Sequence, residues 1–314
     1  MVSSEPIRSF RFQDFAADRL VTAKAGRTVA VCLPARNEES TIGSIVAEIQ
    51  RDLVREHPVV DELVVIDDQS TDETAAVAAD AGAHVVSTSD LLPHLAKGPG
   101  KGQALWKSLH ATTSELIVWC DADIVDFDCR FVRGIVGPLL ADPDLAFVKG
   151  HYDRPLDADG SGGGRVTELT ARPLISTLFP HLAAIAQPLA GEYGGRRDIL
   201  EQLRFASGYG VELGLLIDIA ARFGVDSIAQ VDLGERRHRN RGLGELGPQA
   251  AAIVHAALRR AAPDLVDEAG PLVRPGLEPV ELEVEEHPPM VMVTDYLVAH
   301  HSETTGLETP QEQA

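Results

Sequence analysis

From residue 28 onward, short and almost wholly apolar runs alternate with stretches of helical spacing. "TVAVCLP" (28–34) reads as a strand that stops at Pro34. In the "STIGSIVAEIQRDLVREH" that follows, Ile42, Ile45, Val46, Ile49, Leu53 and Val54 keep to one helical face, and Ser40 is placed to cap the helix. The alternation continues. "DELVVIDD" (61–68), "AHVVS" (83–87) and "ELIVWCDAD" (115–123) are strand candidates, separated by helix candidates at 70–82 and 102–113. A helix over 129–141 and a strand over 145–150 close this half.

Continuous apolar strands separated by helices predict an α/β fold, a mostly parallel sheet with helices on both faces. Ligands of such sheets bind beyond the carboxyl ends of the strands. Here those ends carry "PARNEE", "DDQS" and "CDAD", which is the first sign of chemistry. After residue 150 the alternation weakens. "GSGGGR" (160–165) is a Gly-rich loop ahead of a helix over about 166–185. A strong helix over 208–224, a strand over 226–234 and a helix over 247–261 follow, then a Pro- and acid-rich stretch and the apolar "MVMVTDYLV".

The 314 residues suffice for one large or two moderate domains, and 44% hydrophobic with 24% charged residues is ordinary for a soluble globular chain. No apolar run reaches the length of a membrane span, and the N-terminus lacks the apolar core of a secretory signal. Of the three cysteines, Cys32 and Cys120 fall in predicted buried strands, which predicts core thiols and a cytoplasmic protein. The formal net charge of -20 argues against nucleic acid as a partner, because binding a phosphate backbone needs a basic face. Against that background two local basic clusters stand out, "KGPGKG" (97–102) and "GERRHRNRGL" (234–243).

In "DAD", Asp121 and Asp123 at the end of the most hydrophobic strand suit Mg²⁺ or Mn²⁺, which combine one or two carboxylates with phosphate oxygens and water. By itself the motif also suits a turn that caps a helix. Consecutive glycines before Arg165 can present backbone N–H groups to an anion, and Arg165 adds a planar fork. The spacing of "GPGKG" is not that of a P-loop. Lys101 on this glycine-flanked turn still suits a phosphate, and otherwise is a solvated surface charge.

In order and spacing, "PARNEE", "DDQSTDET" and "DAD" resemble the GT-A nucleotide-diphospho-sugar glycosyltransferases over about residues 28–150. Downstream, "GPGKGQALWKSL", "GGGRVTELTARPL", "QPLAGEYGGRRDIL", "GYGVELGLLID", "IAQVDLGERRHRNRGLGEL" and "PPMVMV" resemble the glucosyl-3-phosphoglycerate synthase family. That family is related to the mannosyl-3-phosphoglycerate synthases. The resemblance implies a metal-dependent, retaining transfer of glucose from UDP-glucose, or GDP-glucose, to the 2-hydroxyl of 3-phosphoglycerate by a homodimer. It also implies a division into an N-terminal extension (1–27), a nucleotide-sugar domain (28–150), an acceptor-binding region (151–245) and a C-terminal helix and tail (246–314).

Carried onto this chain, the resemblance implies nucleotide contacts from Pro34, Ala35, Arg36, Glu38, Asp68, Lys101, Asp121, Ala122 and Asp123. Members commonly have serine at the Asp68 position. Asp123 and His238 would hold the metal. The backbone at Leu189 and the side chain of Glu212 would face the donor sugar, with no residue marked as a nucleophile. Gly164, Arg165, Thr167, Tyr209 and Asn240 would hold the acceptor. On this reading the arginine run around His238 belongs to a pocket for two anionic substrates. Alternatives that remain are mannosyl transfer from GDP-mannose, a sugar-nucleotidyltransferase and a non-catalytic nucleotide-sugar binder. A membrane-bound transferase is disfavoured by the lack of a spanning segment.

Overall fold

Eight strands form one twisted sheet in the computed structural model, which describes residues 7–95, 98–153, 164–236, 243–266 and 270–301. In chain order they are β1 (Arg8–Arg11), β2 (Val29–Ala35), β3 (Glu62–Asp67), β4 (His84–Ser87), β5 (Leu116–Trp119), β6 (Phe147–Asp153), β7 (Tyr193–Arg196) and, after the two-residue β8 (Phe205–Ala206), β9 (Ile228–Glu235). The spatial order is β1-β9-β6-β7-β5-β2-β3-β4. All neighbours are parallel except β7, which runs antiparallel between β5 and β6. A separate pair joins β8 to β10 (Glu286–His287).

The period-2 geometry of the strands divides the core into two layers. Val29, Val31, Leu33 and Ala35 of β2 face one cluster, into which Ile42, Ile45, Val46 and Ile49 of helix Ile42–Ile49 pack, together with helix Arg130–Ala141. Ala30 and Cys32 face the other, built with helices Lys101–Ala111 and Val211–Phe223 and with Ile253 and Ala257 of helix Leu243–Ala261. The cysteines are all free and buried, and burial pushes the Cys32 thiol up to about 12. Among the described residues, no helix is long and apolar enough to cross a membrane.

Three features differ from the sequence expectation. The helix after β2 begins at Ile42, with Thr41 rather than Ser40 at the cap position and no side-chain capping bond. The Thr41 hydroxyl instead donates to Ala122 O at 2.7 Å, which ties the helix start to the end of β5. The expected helix over 166–185 is shorter, Thr167–Ala171 running on into Arg172–Leu178, because Pro180 begins a separate turn, Pro180–Leu182. And the sheet runs across the boundaries expected at residues 28 and 150: β1 is its edge strand, and β7 and β9 are interior to it.

Candidate active site

The parallel strands β2, β3 and β5 end side by side, and the loops after them open into a cavity of about 380 Å³. Every described residue given a role from the sequence lines it: Pro34, Ala35, Arg36, Glu38, Asp68, Lys101, Asp121, Ala122, Asp123, Gly164, Arg165, Thr167, Leu189, Tyr209 and Glu212. His238 and Asn240 lie outside the described residues. Segments far apart in sequence are thus gathered at one sheet end.

Asp121 and Asp123 leave β5 toward the cavity and meet two cations. Lys101, at the first turn of its helix, places Nζ 2.7 Å from both Asp121 Oδ1 and Glu212 Oε1. Glu212 sits in the first turn of Val211–Phe223 and is almost wholly buried. Arg236, the residue after β9, reaches Asp123 Oδ1 at 2.6 Å and Asp121 Oδ2 at 3.2 Å. Burial alone would raise the Asp121 carboxyl, but Lys101 and Arg236 outweigh it and hold that group well below the usual carboxylate range. At the β3 end, Asp68 accepts hydrogen bonds from Gly100 N–H at 2.8 Å and the Thr88 hydroxyl at 3.2 Å. Burial nevertheless raises its pKa. Glu283, from the C-terminal stretch, lines the same part of the cavity, and burial raises it too, with Asp68 adding to the effect.

Beneath the cavity floor lies a polar layer that the sequence reading missed. Glu192 is fully buried, its Oε1 2.8 Å from Arg236 and its Oε2 without a hydrogen-bond partner. Tyr152 OH lies 2.6 Å from the same guanidinium. Lys149 is also buried, donates from Nζ to Ala190 O at 2.6 Å and lies 3.9 Å from the centre of the Tyr193 ring. For Lys149 the available signal is a charged residue inside an otherwise apolar strand run, "LAFVKGHY"; Glu192, in the loop-like "GEYGG" just ahead of β7, has no such signal. Isolated charges of this kind are rarely buried without a partner.

Burial pushes the Lys149 ammonium down to about 7 from the ordinary 10.5. Between those values the unfolded chain binds a proton that the folded one does not, so stability rises with pH across the window. Below it both states are protonated and the contribution is flat. Thermal unfolding of wild type and Lys149→Met is therefore expected to diverge with pH. Wild type gains relative stability as pH rises from about 7 toward 10.5, and parallel pH profiles would show that Lys149 stays charged.

Comparison with known proteins agrees with this architecture. The profile of Glycosyl transferase family 2 matches residues 30–163. The glucosyl-3-phosphoglycerate synthase of Mycolicibacterium smegmatis is 51% identical over 245 residues, 77% of this chain and 80% of the relative. That of Petrotoga mobilis is 42% identical over 308 residues, 92% and 95% of the two chains. The crystal structure of the Mycobacterium tuberculosis glucosyl-3-phosphoglycerate synthase in complex with Mn²⁺, UDP-glucose and phosphoglyceric acid superposes with a TM-score of 0.84 at 42% identity, covering 91% of this chain and 99% of that one. The sheet is thus of the GT-A type, and with relatives this similar along most of its length the chain belongs to the glucosyl-3-phosphoglycerate synthase family.

Proposed function

We propose that the chain transfers glucose from UDP-glucose to the 2-hydroxyl of 3-phosphoglycerate, with retention at the anomeric carbon. The observation that carries this reading is the single cavity in which the Asp121–Asp123 wall, the Lys101–Glu212 pair and the Gly164–Thr167 turn meet. Asp123, about 29% exposed toward that cavity, is a hard oxygen donor suited to Mg²⁺ or Mn²⁺ and, with His238, would hold the ion. When bound, the ion supplies positive charge to the diphosphate as its bond to the sugar breaks.

The chain's own residues position the reactants. Pro34, Ala35, Arg36, Glu38 and Asp68 form the nucleotide end of the cavity, and Lys101 brings a cation toward the diphosphate. Glu212 and the Leu189 backbone face the sugar, and Gly164, Arg165, Thr167, Tyr209 and Asn240 hold the acceptor by its phosphate and carboxylate. In the transfer, the bond from the anomeric carbon to the β-phosphate oxygen breaks. The acceptor 2-oxygen bonds to the same carbon on the same face, and its proton passes to the departing diphosphate. Glu212 is the carboxylate that this reading turns toward the sugar, but its pairing with Lys101 at 2.7 Å blunts its nucleophilicity. That favours the route without a covalent sugar intermediate.

The test is nucleoside diphosphate release by the purified protein with Mg²⁺, from UDP-glucose, GDP-glucose and GDP-mannose, each with and without 3-phosphoglycerate. Release from UDP-glucose that depends on 3-phosphoglycerate is the expected result. A preference for GDP-mannose would make the chain a mannosyl synthase, and no acceptor-dependent release from any donor would remove the proposal. The same reading includes a cytoplasmic location, in keeping with three free thiols. It also includes a homodimer, which light scattering on the eluted protein tests.

A further inference from the structure

Among the described residues, the carboxylates around the deep end of the cavity outnumber the cations. Asp121, Asp123, Glu192 and Glu212 face Lys101 and Arg236, with the buried Lys149 as a third cation in their field. Like charges this close repel strongly unless a cation lies between them. How Arg236 meets that demand is unusual for a structural arginine. A guanidinium fixing one carboxylate normally does so with two parallel hydrogen bonds. Here the group is spread over three carboxylates. Its NH1 faces Glu192 Oε1 at 2.8 Å, Tyr152 OH at 2.6 Å and Asp121 Oδ2 at 3.2 Å. That is three acceptors for two hydrogens, while Nε, also buried, has no partner.

The two ends of the arrangement are also unequal. Glu192 and Tyr152 are buried at 0% and 1% exposure and form a fixed seat. Asp121 and Asp123 are 23% and 29% exposed toward the cavity. Asp123 is held through NH2 alone, at 2.6 Å, and that contact can open while the bonds of NH1 to Glu192 and Tyr152 persist.

We propose that Arg236 is a stand-in cation, which neutralises Asp123 and Asp121 while no divalent ion is bound and releases Asp123 when the ion arrives. This rests on Asp123 being a metal ligand, as in the function proposed above. The consequence is a sign that distinguishes it from ordinary support. A residue that merely orients a metal ligand weakens metal binding about 10- to 100-fold when it is removed. A competitor for the ligand's oxygen does the opposite.

The experiment is Mn²⁺ binding, followed by electron paramagnetic resonance without nucleotide, to wild type, Asp123→Asn, Arg236→Met and the double variant Arg236→Met/Glu192→Gln. The double variant removes both partners of the buried pair and so guards against misfolding from an uncompensated Glu192. Expected are loss of binding in Asp123→Asn and about tenfold tighter binding in whichever Arg236 variant folds, by the scale on which neighbouring groups alter metal affinity. The Arg236 variants should also gain more thermal stability from saturating Mn²⁺ than wild type does. Unchanged or weaker Mn²⁺ binding in the Arg236 variants, with Asp123→Asn still defective, overturns the stand-in role and leaves the metal assignment intact. Undiminished binding in Asp123→Asn overturns both.

Discussion

Lys101→Met is expected to be less stable than wild type by about 3 kcal/mol, the scale of breaking a buried ion pair from one side, and to lose about 10³-fold in turnover. Both effects follow from one nitrogen. Lys101 Nζ is the only described cation within 2.7 Å of both Asp121 and Glu212, and Glu212 is only 5% exposed in its side chain. Truncation leaves Glu212 buried without its counter-ion, while Asp121 keeps Arg236. The stability loss should therefore belong mainly to Glu212. The double variant Lys101→Met/Glu212→Gln is then expected to recover most of the stability and none of the turnover, because the amide no longer needs a cation while the diphosphate still does. Chemical denaturation read beside acceptor-dependent UDP release separates the two. Recovery of turnover in the double variant would show that Lys101 acts only by holding Glu212, with no part in the reaction itself.

How much of this was legible beforehand depends on where burial is visible as hydrophobicity. Strands β2, β3 and β5 are apolar on both faces, so their sequences announce them, and the polar clusters at their ends announced the cavity. β7 gave no such signal. Its sequence is Tyr-Gly-Gly-Arg, which reads as a loop. It is a strand because it is threaded antiparallel between β5 and β6, where a Cβ on Gly194 would lie 2.5 Å from Ile117 O and one on Gly195 2.6 Å from Ala146 O. Composition there is dictated by the approach of neighbouring backbones, which only the assembled sheet reveals. β1, four residues alternating between half-buried and exposed, is too short for its period to register, so the sequence predicts only an extension there. The layer of Lys149, Tyr152 and Glu192 was missed for a related reason. Each is partnered by a residue distant in sequence, and local spacing carries no trace of such a pair.

The same threading makes Gly191 a sensitive point of the site. A Cβ there would overlap the carboxylate of Asp121, and the segment has nowhere to retreat. On one flank Ala190 O is held by Lys149 Nζ at 2.6 Å. On the other, Glu192 O accepts from Gly150 N–H at 2.8 Å, and Glu192 Oε1 is tied to Arg236. Of the two groups forced apart by an added methyl, the backbone is pinned and Asp121 is the one that moves. Its displacement breaks contacts to both Lys101 and Arg236 together. Gly191→Ala is accordingly expected to lower stability by about 3 kcal/mol, the upper range for an overpacked site, and turnover by about 10²-fold, as for an ångström-scale misplacement of reacting groups. Thermal unfolding and acceptor-dependent UDP release measure the two. A variant with wild-type stability and turnover would mean that Asp121 can swing aside at no cost, and it would remove Asp121, and the ion pairs built on it, from the working part of the site.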